Sequence, residues 1–322
     1  MKAIVQRAYG NADVLLLEEI ERPEIGVDEV LVRVRAAGFN HADWVYISGT
    51  PLISRLAFGI GTPKTIVRGK DMSGVVEAVG ANVTTFTPGA EVYGELQSGA
   101  FAEYVAAPAV LLARKPAALS FEQAATVPTS GMTALLGLRD AGSVKPGQRV
   151  LINGASGGVG TFAVQVAKAL GAEVTAVASA RNTQLVRSLG ADHVVDYGRD
   201  DFTLGTARYD VIFDLIGNHT LNQLRGVLTP RGTLVLSSGT GGRVLGPMGR
   251  ILKAALMSPF VGQTLSLFSQ NGGAQTLDEL TELIDAGHVT PAIDRSYPLA
   301  EVAAAVRYFV DEHARGKIAI SL

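Results

Sequence analysis

The chain of 322 residues contains no cysteine. Disulfides and every thiolate chemistry are therefore excluded, and the commonest ligand of structural zinc is missing. Long apolar runs are missing too. The opening Met1-Lys2-Ala3-Ile4-Val5-Gln6-Arg7 breaks its apolar stretch before a secretory core of the usual ~7–15 residues forms, and it reads as a first strand. The most apolar later region, 244–262, is interrupted by Pro247, Arg250, Lys253 and Pro259, so it falls short of the ~20 apolar residues of a spanning helix. No long run of like charge occurs either, and 28 Lys+Arg against 30 Asp+Glu leave a net charge of −2. Nucleic acid and an anionic membrane are poor partners for such a chain, and the cytoplasm is the expected compartment.

What is present is apolar. Hydrophobic residues make up 47% of the chain and charged ones 18%, enough to bury sizeable cores. The length exceeds that at which one core usually stops growing, so two domains are expected, one of them open to being discontinuous. Up to about Ala113 the texture is short β segments punctuated by Gly and Pro: Glu29–Ala37, Gly74–Val79, Glu91–Tyr93 and Phe101–Ala106. In the first of these Val30, Val32, Val34 and Ala36 alternate with Leu31, Arg33 and Arg35, as in a strand buried on one side, and a small barrel-like β domain fits.

From about Ser120 strands alternate with helices. Val150–Asn153, Glu173–Ala178, His193–Asp196, Asp210–Leu215 and Gly232–Ser237 read as strands of a parallel, doubly wound sheet. Val159, Ala163, Val166, Ala167 and Leu170 put one apolar stripe on the helix after the first of them. Thr264–Phe268 reads as an edge strand, Thr276–Ala286 as a helix and Gly316–Leu322 as a closing strand.

The clearest motif follows Val150–Asn153. Gly154 leads into Ala155-Ser156-Gly157-Gly158-Val159-Gly160, a Gly-x-Gly-x-x-Gly pattern with alanine in the first place, set between a strand and a helix. Small residues let the backbone approach a pyrophosphate, and the helix N-terminus supplies free N–H groups and a partial positive charge. The alternative is a merely tight turn. In NAD-specific folds an acidic residue at the end of the second strand accepts hydrogen bonds from the ribose hydroxyls. Here that place reads Ala178-Ser179-Ala180-Arg181-Asn182. No carboxylate repels a 2′-phosphate, Ser179 can donate to one and Arg181 can pair with one, so NADPH is the expected cofactor. The alternative is an Arg181 that only begins the next helix. Gly217, Ser238 and Gly239 follow the ends of predicted parallel strands, where α/β sheets bind ligands.

Seven segments then carry a resemblance: AAGFNHADW (36–44), GKDMSGVVEAVG (69–80), GAFAEYV (99–105), TVPTSGMTAL (126–135), the glycine turn, YDVIFDLIGN (209–218) and ARGK (314–317). Over essentially its whole length the chain is similar to the medium-chain dehydrogenases/reductases, in the zinc-free quinone oxidoreductase (zeta-crystallin-like) branch. The resemblance implies an α/β fold with a GroES-like β-barrel catalytic domain and a doubly wound parallel-sheet Rossmann domain. Its divisions would be 1–122 for the first part of the catalytic domain, 123–268 for the Rossmann NADP-binding domain and 269–322 for the return to the catalytic domain.

Zinc enzymes of this superfamily hold catalytic metal through a Cys-His pair, the histidine of a Gly-His-Glu segment and one more cysteine. Here Asn40 precedes His41, and Gly69-Lys70-Asp71 replaces Gly-His-Glu. A catalytic site needs three protein ligands around the metal, so no zinc is expected. Without a Lewis acid, acceptors that spread the hydride's charge over a conjugated system are favoured, namely a quinone or an α,β-unsaturated carbonyl. The resemblance names Asn40 first among catalytic residues, with an amide free to donate to substrate and accept from the nicotinamide carboxamide. The alternative for Asn40 is a strand-end turn. Asp43 is the recurrent acid of this turn, or else a cap for a helix Trp44–Ile47. Tyr46 and Lys70 are candidates to face substrate, the alternatives being a packed tyrosine and a solvated lysine. Cofactor contacts are implied for Thr129, Thr133, Asn182, Tyr197 and Lys317, with Arg181 supplying the cation that relatives draw from a lysine near Asn182. Alternatives are an enoyl or secondary-metabolite reductase, and a non-catalytic, crystallin-like NADPH binder. The expected partners are a small apolar electrophile and a second copy of the chain, joined along 264–268.

Overall fold

The structure is a computed structural model that describes residues 1–237, 241–268, 272–312 and 314–322. The chain forms two compact units, one of Met1–Ser130, Gly272–Gly287 and Pro291–Leu322, the other of Gly131–Asn271 and His288–Thr290.

In the first unit β1 (Lys2–Gln6) and β2 (Leu15–Glu19) pair antiparallel, and β3 (Glu29–Phe39) is the long strand around which the larger sheet grows. A short helix α1 (His41–Ser48) and the single turn α2 (Arg55–Phe58) separate it from β4 (Asp71–Val79), and β5 (Glu91–Glu95), β6 (Tyr104–Pro108) and β7 (Leu112–Arg114) follow. Then come α3 (Phe121–Ala125) and α4 (Pro128–Leu136), within which the chain leaves the first unit.

Along β3 the expected alternation holds only from Val32 to Ala36, where Val32, Val34 and Ala36 are buried while Arg33 and Arg35 are exposed; Leu31, expected to face outward, is buried. The alternation ends at Ala36, because 36–40 are all buried. The cause is visible at Gly38, where a Cβ would lie 2.3 Å from the Ala125 carbonyl oxygen of α3. Only glycine allows that approach. The strand expected at Phe101–Ala106 begins later, at Tyr104, since the Phe101 amide donates to the Arg68 carbonyl and its ring is fully buried.

The second unit is the doubly wound sheet. Its strands are β8 (Arg149–Asn153), β9 (Glu173–Ala178), β10 (His193–Asp196), β11 (Tyr209–Asp214), β12 (Leu228–Leu236) and β13 (Thr264–Leu267), all parallel, in the order β10-β9-β8-β11-β12-β13. Its helices are α5 (Gly158–Ala169), α6 (Thr183–Ser188), α7 (Leu221–Gly226) and α8 (Met248–Met257). The five expected strands and the edge strand β13 all form, β12 starting at Leu228 and not at the expected Gly232. α5 differs from expectation in being buried on every side from Gly160 to Ala167, not along one stripe. Its outer face is covered by 288–290, where Gln165 exchanges two hydrogen bonds with the Thr290 backbone at 3.0 and 2.8 Å.

The chain then re-enters the first unit with α9 (Ala274–Asp285), β14 (Ile293–Pro298), α10 (Val302–Glu312) and β15 (Lys317–Ser321). The Tyr93 hydroxyl fastens α9 to β5 through the Leu277 carbonyl at 2.8 Å and Thr281 Oγ1 at 2.9 Å. β15 pairs antiparallel with β3, Ile318 opposite Phe39, inside a seven-stranded sheet running β14-β15-β3-β4-β5-β7 with β6 also on β3. The first residue of β15, the end of β3 and the first residue of β4 are thereby brought together.

Candidate functional site

At that junction lie Asn40, Asp43, Asp71 and Lys317, each buried. Asn40 ends β3 and is the N-cap of α1 in extended conformation, so the helix starts at His41 and not at Trp44. Asp43 is consequently the third helical residue, and caps by reaching back, its carboxylate accepting the Asn40 N–H at 2.8 Å.

The Asn40 side chain is engaged at both ends. Its Oδ1 accepts from Lys317 Nζ, while its amide nitrogen donates to the Gly38 carbonyl at 3.5 Å, and the same side chain favours the charged form of the neighbouring Asp71. Lys317, expected among the cofactor contacts, is fully buried in this network and also donates to Ser130 Oγ at 3.0 Å. Thr129 turns toward the same cluster, giving its N–H and hydroxyl to the Asp71 carboxylate at 3.1 and 2.5 Å. Asp71 therefore sits on first-turn donors of α4, where a negative charge is favoured. Thr133 lies further along α4, buried.

Lys70 is not a solvated lysine. Its ammonium is 2.5 Å from Glu95, and the two side chains are only 19% and 15% exposed. Burial works against its charge, but Glu95 outweighs that and the Lys70 pKa rises. Tyr46 is the packed alternative, half-buried and stacked on Phe58 with centroids 3.6 Å apart and planes 24° from parallel. Arg68, which the sequence reading passed over, is buried with Nη2 on Thr65 Oγ1 at 2.8 Å and its guanidinium 5.9 Å from the Tyr46 ring.

Burial dominates the protonation of this cluster. It pushes the Asp43 carboxyl up from 3.8 to about 7, with the neighbouring charge of Asp71 adding and the Asn40 amide, Lys70 and Lys317 opposing. Asp71 is also raised by burial, with Lys317 holding it back, and Lys317 is lowered by burial against the pull of both acids. Two carboxyls share one ammonium out of water, so the arrangement retains a proton near neutrality.

In the second unit the glycine turn stands at the carboxyl end of β8. Gly154 has φ +91°, Ala155 is buried, Gly157 is the N-cap of α5, and Gly158 and Val159 open the helix. At Gly160 a Cβ would meet the Gly154 carbonyl oxygen at 2.1 Å, so the turn closes only on glycine. These residues fit a dinucleotide, since the turn leaves backbone alone to meet a phosphate. Ser156 Oγ accepts from Asn182 Nδ2 at 2.9 Å, and Asn182 Oδ1 is buried without a partner among the described residues. Ser179 caps a short turn, Ala180–Asn182, that carries Arg181 exposed, so Arg181 precedes α6 and does not begin it. Tyr197 is 63% exposed just after β10, and Gly217, at φ +75°, donates its N–H to Asp214 at 3.0 Å. Ser238 and Gly239 lie outside the described residues.

An alcohol dehydrogenase GroES-like domain model matches residues 26–117, and a zinc-binding dehydrogenase model matches residues 189–320. A mitochondrial NAD(P)H oxidoreductase of Mus musculus, RTN4IP1, is 34% identical, the match covering 100% of this chain and 89% of that protein. The chloroplastic NADPH-dependent alkenal/one oxidoreductase of Arabidopsis thaliana is 33% identical over 99% of this chain and 79% of its own. The solved quinone oxidoreductase of Coxiella burnetii superposes with a TM-score of 0.86 at 29% identity, covering 100% of this chain and 99% of that one. Relatives named for mitochondria and chloroplasts leave the cytoplasm an expectation, while no described helix is long and apolar enough to cross a membrane.

Asp43 gives the cluster a measurable signature. Because its folded-state pKa, about 7, lies above the ordinary 3.8, the native state binds the proton more tightly than the unfolded chain. Its contribution to stability is therefore full below the unfolded value and is lost as pH rises through the folded one. Asp43→Asn keeps an acceptor for the Asn40 amide and cannot ionise. In urea denaturation, wild type should lose on the order of 2–4 kcal/mol relative to the variant between about pH 4 and about pH 7, and nothing more above that. A difference that does not change with pH across this window would falsify the assignment.

Proposed function

Since the chain belongs to the medium-chain dehydrogenase/reductase superfamily, we propose that it is a zinc-independent oxidoreductase that uses NADPH to reduce a quinone or an α,β-unsaturated carbonyl. The observation that carries the metal-free reading is the Lys317 ammonium seated on Asn40, the residue standing where a metal-binding relative has cysteine. A second ammonium, Lys70, stands in the segment that supplies a histidine ligand in zinc enzymes, and Glu95 neutralises it. The chain has no cysteine for the remaining place. Among the described residues no group of three or more His, Asp or Glu is arranged to hold a metal, which supports the same reading.

NADPH supplies a hydride, which with one proton from the medium reduces the acceptor's conjugated system and leaves NADP⁺. The chain's residues bind and orient. The turn Gly154–Gly160 takes the diphosphate on backbone N–H groups, and Ser179 with Arg181 takes the 2′-phosphate, no carboxylate standing in that turn to repel it. The Asn40 side chain is held in one arrangement by Lys317 and the Gly38 carbonyl, a preorganisation that spares reorganisation during reaction. Two copies of the chain joined along β13 would give that sheet edge a partner.

Three measurements test these points. Purified protein should consume NADPH with phenanthrenequinone or a simple enone, and a chelator should leave the rate unchanged. Zinc lost together with activity overturns the metal-free reading, and cofactor binding without turnover of any acceptor overturns the catalytic one. Arg181→Ala should weaken NADPH by roughly tenfold to a hundredfold and barely affect NADH; equal losses refute the 2′-phosphate assignment. Light scattering should show a dimer, and a monomer at micromolar concentration sinks the β13 pairing.

A further inference from the structure

β8 and β11 end side by side, Asn153 opposite Asp214. Asp214 is fully buried and fully provided for. Its carboxylate accepts from Asn153 Nδ2 at 2.8 Å, from the N–H groups of Gly217 and Ile216 at 3.0 and 3.3 Å, and from Arg250 Nη2 at 2.5 Å. Arg250 comes from α8, and its side chain is only 14% exposed. Unlike its partner, it is not satisfied. Nε and Nη1 are both buried and have no hydrogen-bond partner among the described residues.

Burying two donors of a cation without acceptors is unfavourable, and holding α8 in place does not require it. One ion pair to Asp214 would be met as well by a lysine, whose compact head leaves no planar fork to satisfy. The guanidinium does stand where an acceptor is expected to arrive, since α/β sheets bind ligands at the carboxyl ends of their strands. The glycine turn starts at Gly154, directly after Asn153, and a Cβ there would lie 2.7 Å from the Ile216 side chain, so this turn and the one after β11 abut. The surrounding sequence is also cationic. From Leu215 to Leu277 there is no Asp or Glu, while Arg225, Arg231, Arg243, Arg250 and Lys253 fall within it.

We propose that Arg250 is a further cofactor-contacting residue, whose Nε and Nη1 donate to separate oxygens of the bound dinucleotide other than those of the 2′-phosphate, while Nη2 stays on Asp214. Asp214 is then a positioning residue that aims the guanidinium, and Asn153 fixes Asp214 in turn. The assignment rests on the reading of this unit as the NADPH site. It extends that site from the glycine turn to α8, a helix the motif does not reach.

The test is Arg250→Lys, which keeps a cation for Asp214 and lacks both spare donors. Dissociation constants for NADPH and NADH are read by nicotinamide fluorescence, and melting is followed without cofactor. The variant should melt close to wild type and bind both nucleotides about tenfold more weakly, by similar factors. Arg250→Met removes the cation as well, so it should show the same binding loss together with earlier melting. Unchanged affinity in Arg250→Lys overturns the proposal. Loss confined to NADPH also overturns it, by placing the guanidinium at the 2′-phosphate, and so does a loss matched by an equal fall in the melting of Arg250→Lys. Wild-type protein that binds neither nucleotide overturns the cofactor reading itself and this assignment with it.

Discussion

A lysine ammonium taken fully out of water must be met by partners, and much of the first unit is arranged to meet the one on Lys317. Desolvating such an ion costs several kcal/mol, and its attraction to Asp71 and Asp43 offsets this only with the help of good hydrogen bonds. Asn40 and Ser130 provide those. The cation thus ties the start of β15 to the end of β3 through Asn40 and to the first turn of α4 through Ser130, and its charge attracts Asp71 at the start of β4. Removing one partner from such a set typically costs about 3–5 kcal/mol, because a charge is then left buried and alone. The same set also fixes how the Asn40 amide faces, so stability and the geometry of the site depend on one network.

The sheet of the second unit was legible because parallel strands buried on both faces are written as short apolar runs, and Gly154–Gly160 states its own purpose through spacing. The edge strand β13 and the helix α9 were legible for similar local reasons. What could not be read depends on pairing between distant residues. Lys317 and Asn40 are 277 positions apart, and nothing local marks one as the other's partner; the resemblance at ARGK set Lys317 only among the cofactor contacts. Asp71 was in plain view within GKDMSG, but only as a replacement for a zinc-site glutamate. The actual signal was an acidic residue at the head of an apolar strand, where burial makes a partner obligatory.

Helix boundaries failed in the same way at α1. Asp43 was expected to cap a helix starting at Trp44, but β3 delivers Asn40 in extended conformation as the cap, which puts Asp43 one turn in. Arg250 carries no local signal at all. It is one cation among apolar neighbours, and its partner Asp214 belongs to a different strand. Orphaned donors can be found only after the side chains have been placed.

The order in which the chain is made gives the return of β14 and β15 a further consequence. A ribosome releases the second unit whole, with every strand of its sheet, before it has produced the pair that completes the first. Until then the Ala36–Phe39 end of β3 lacks a neighbour on the flank it shares with β6, and Asp71, Asp43 and Asn40 wait without their cation. Vectorial synthesis, which lets many proteins finish their leading domain first, is here reversed. The nascent chain carries a finished trailing domain behind an open sheet, and during that interval a chaperone, or a mistaken strand from another chain, has its best access.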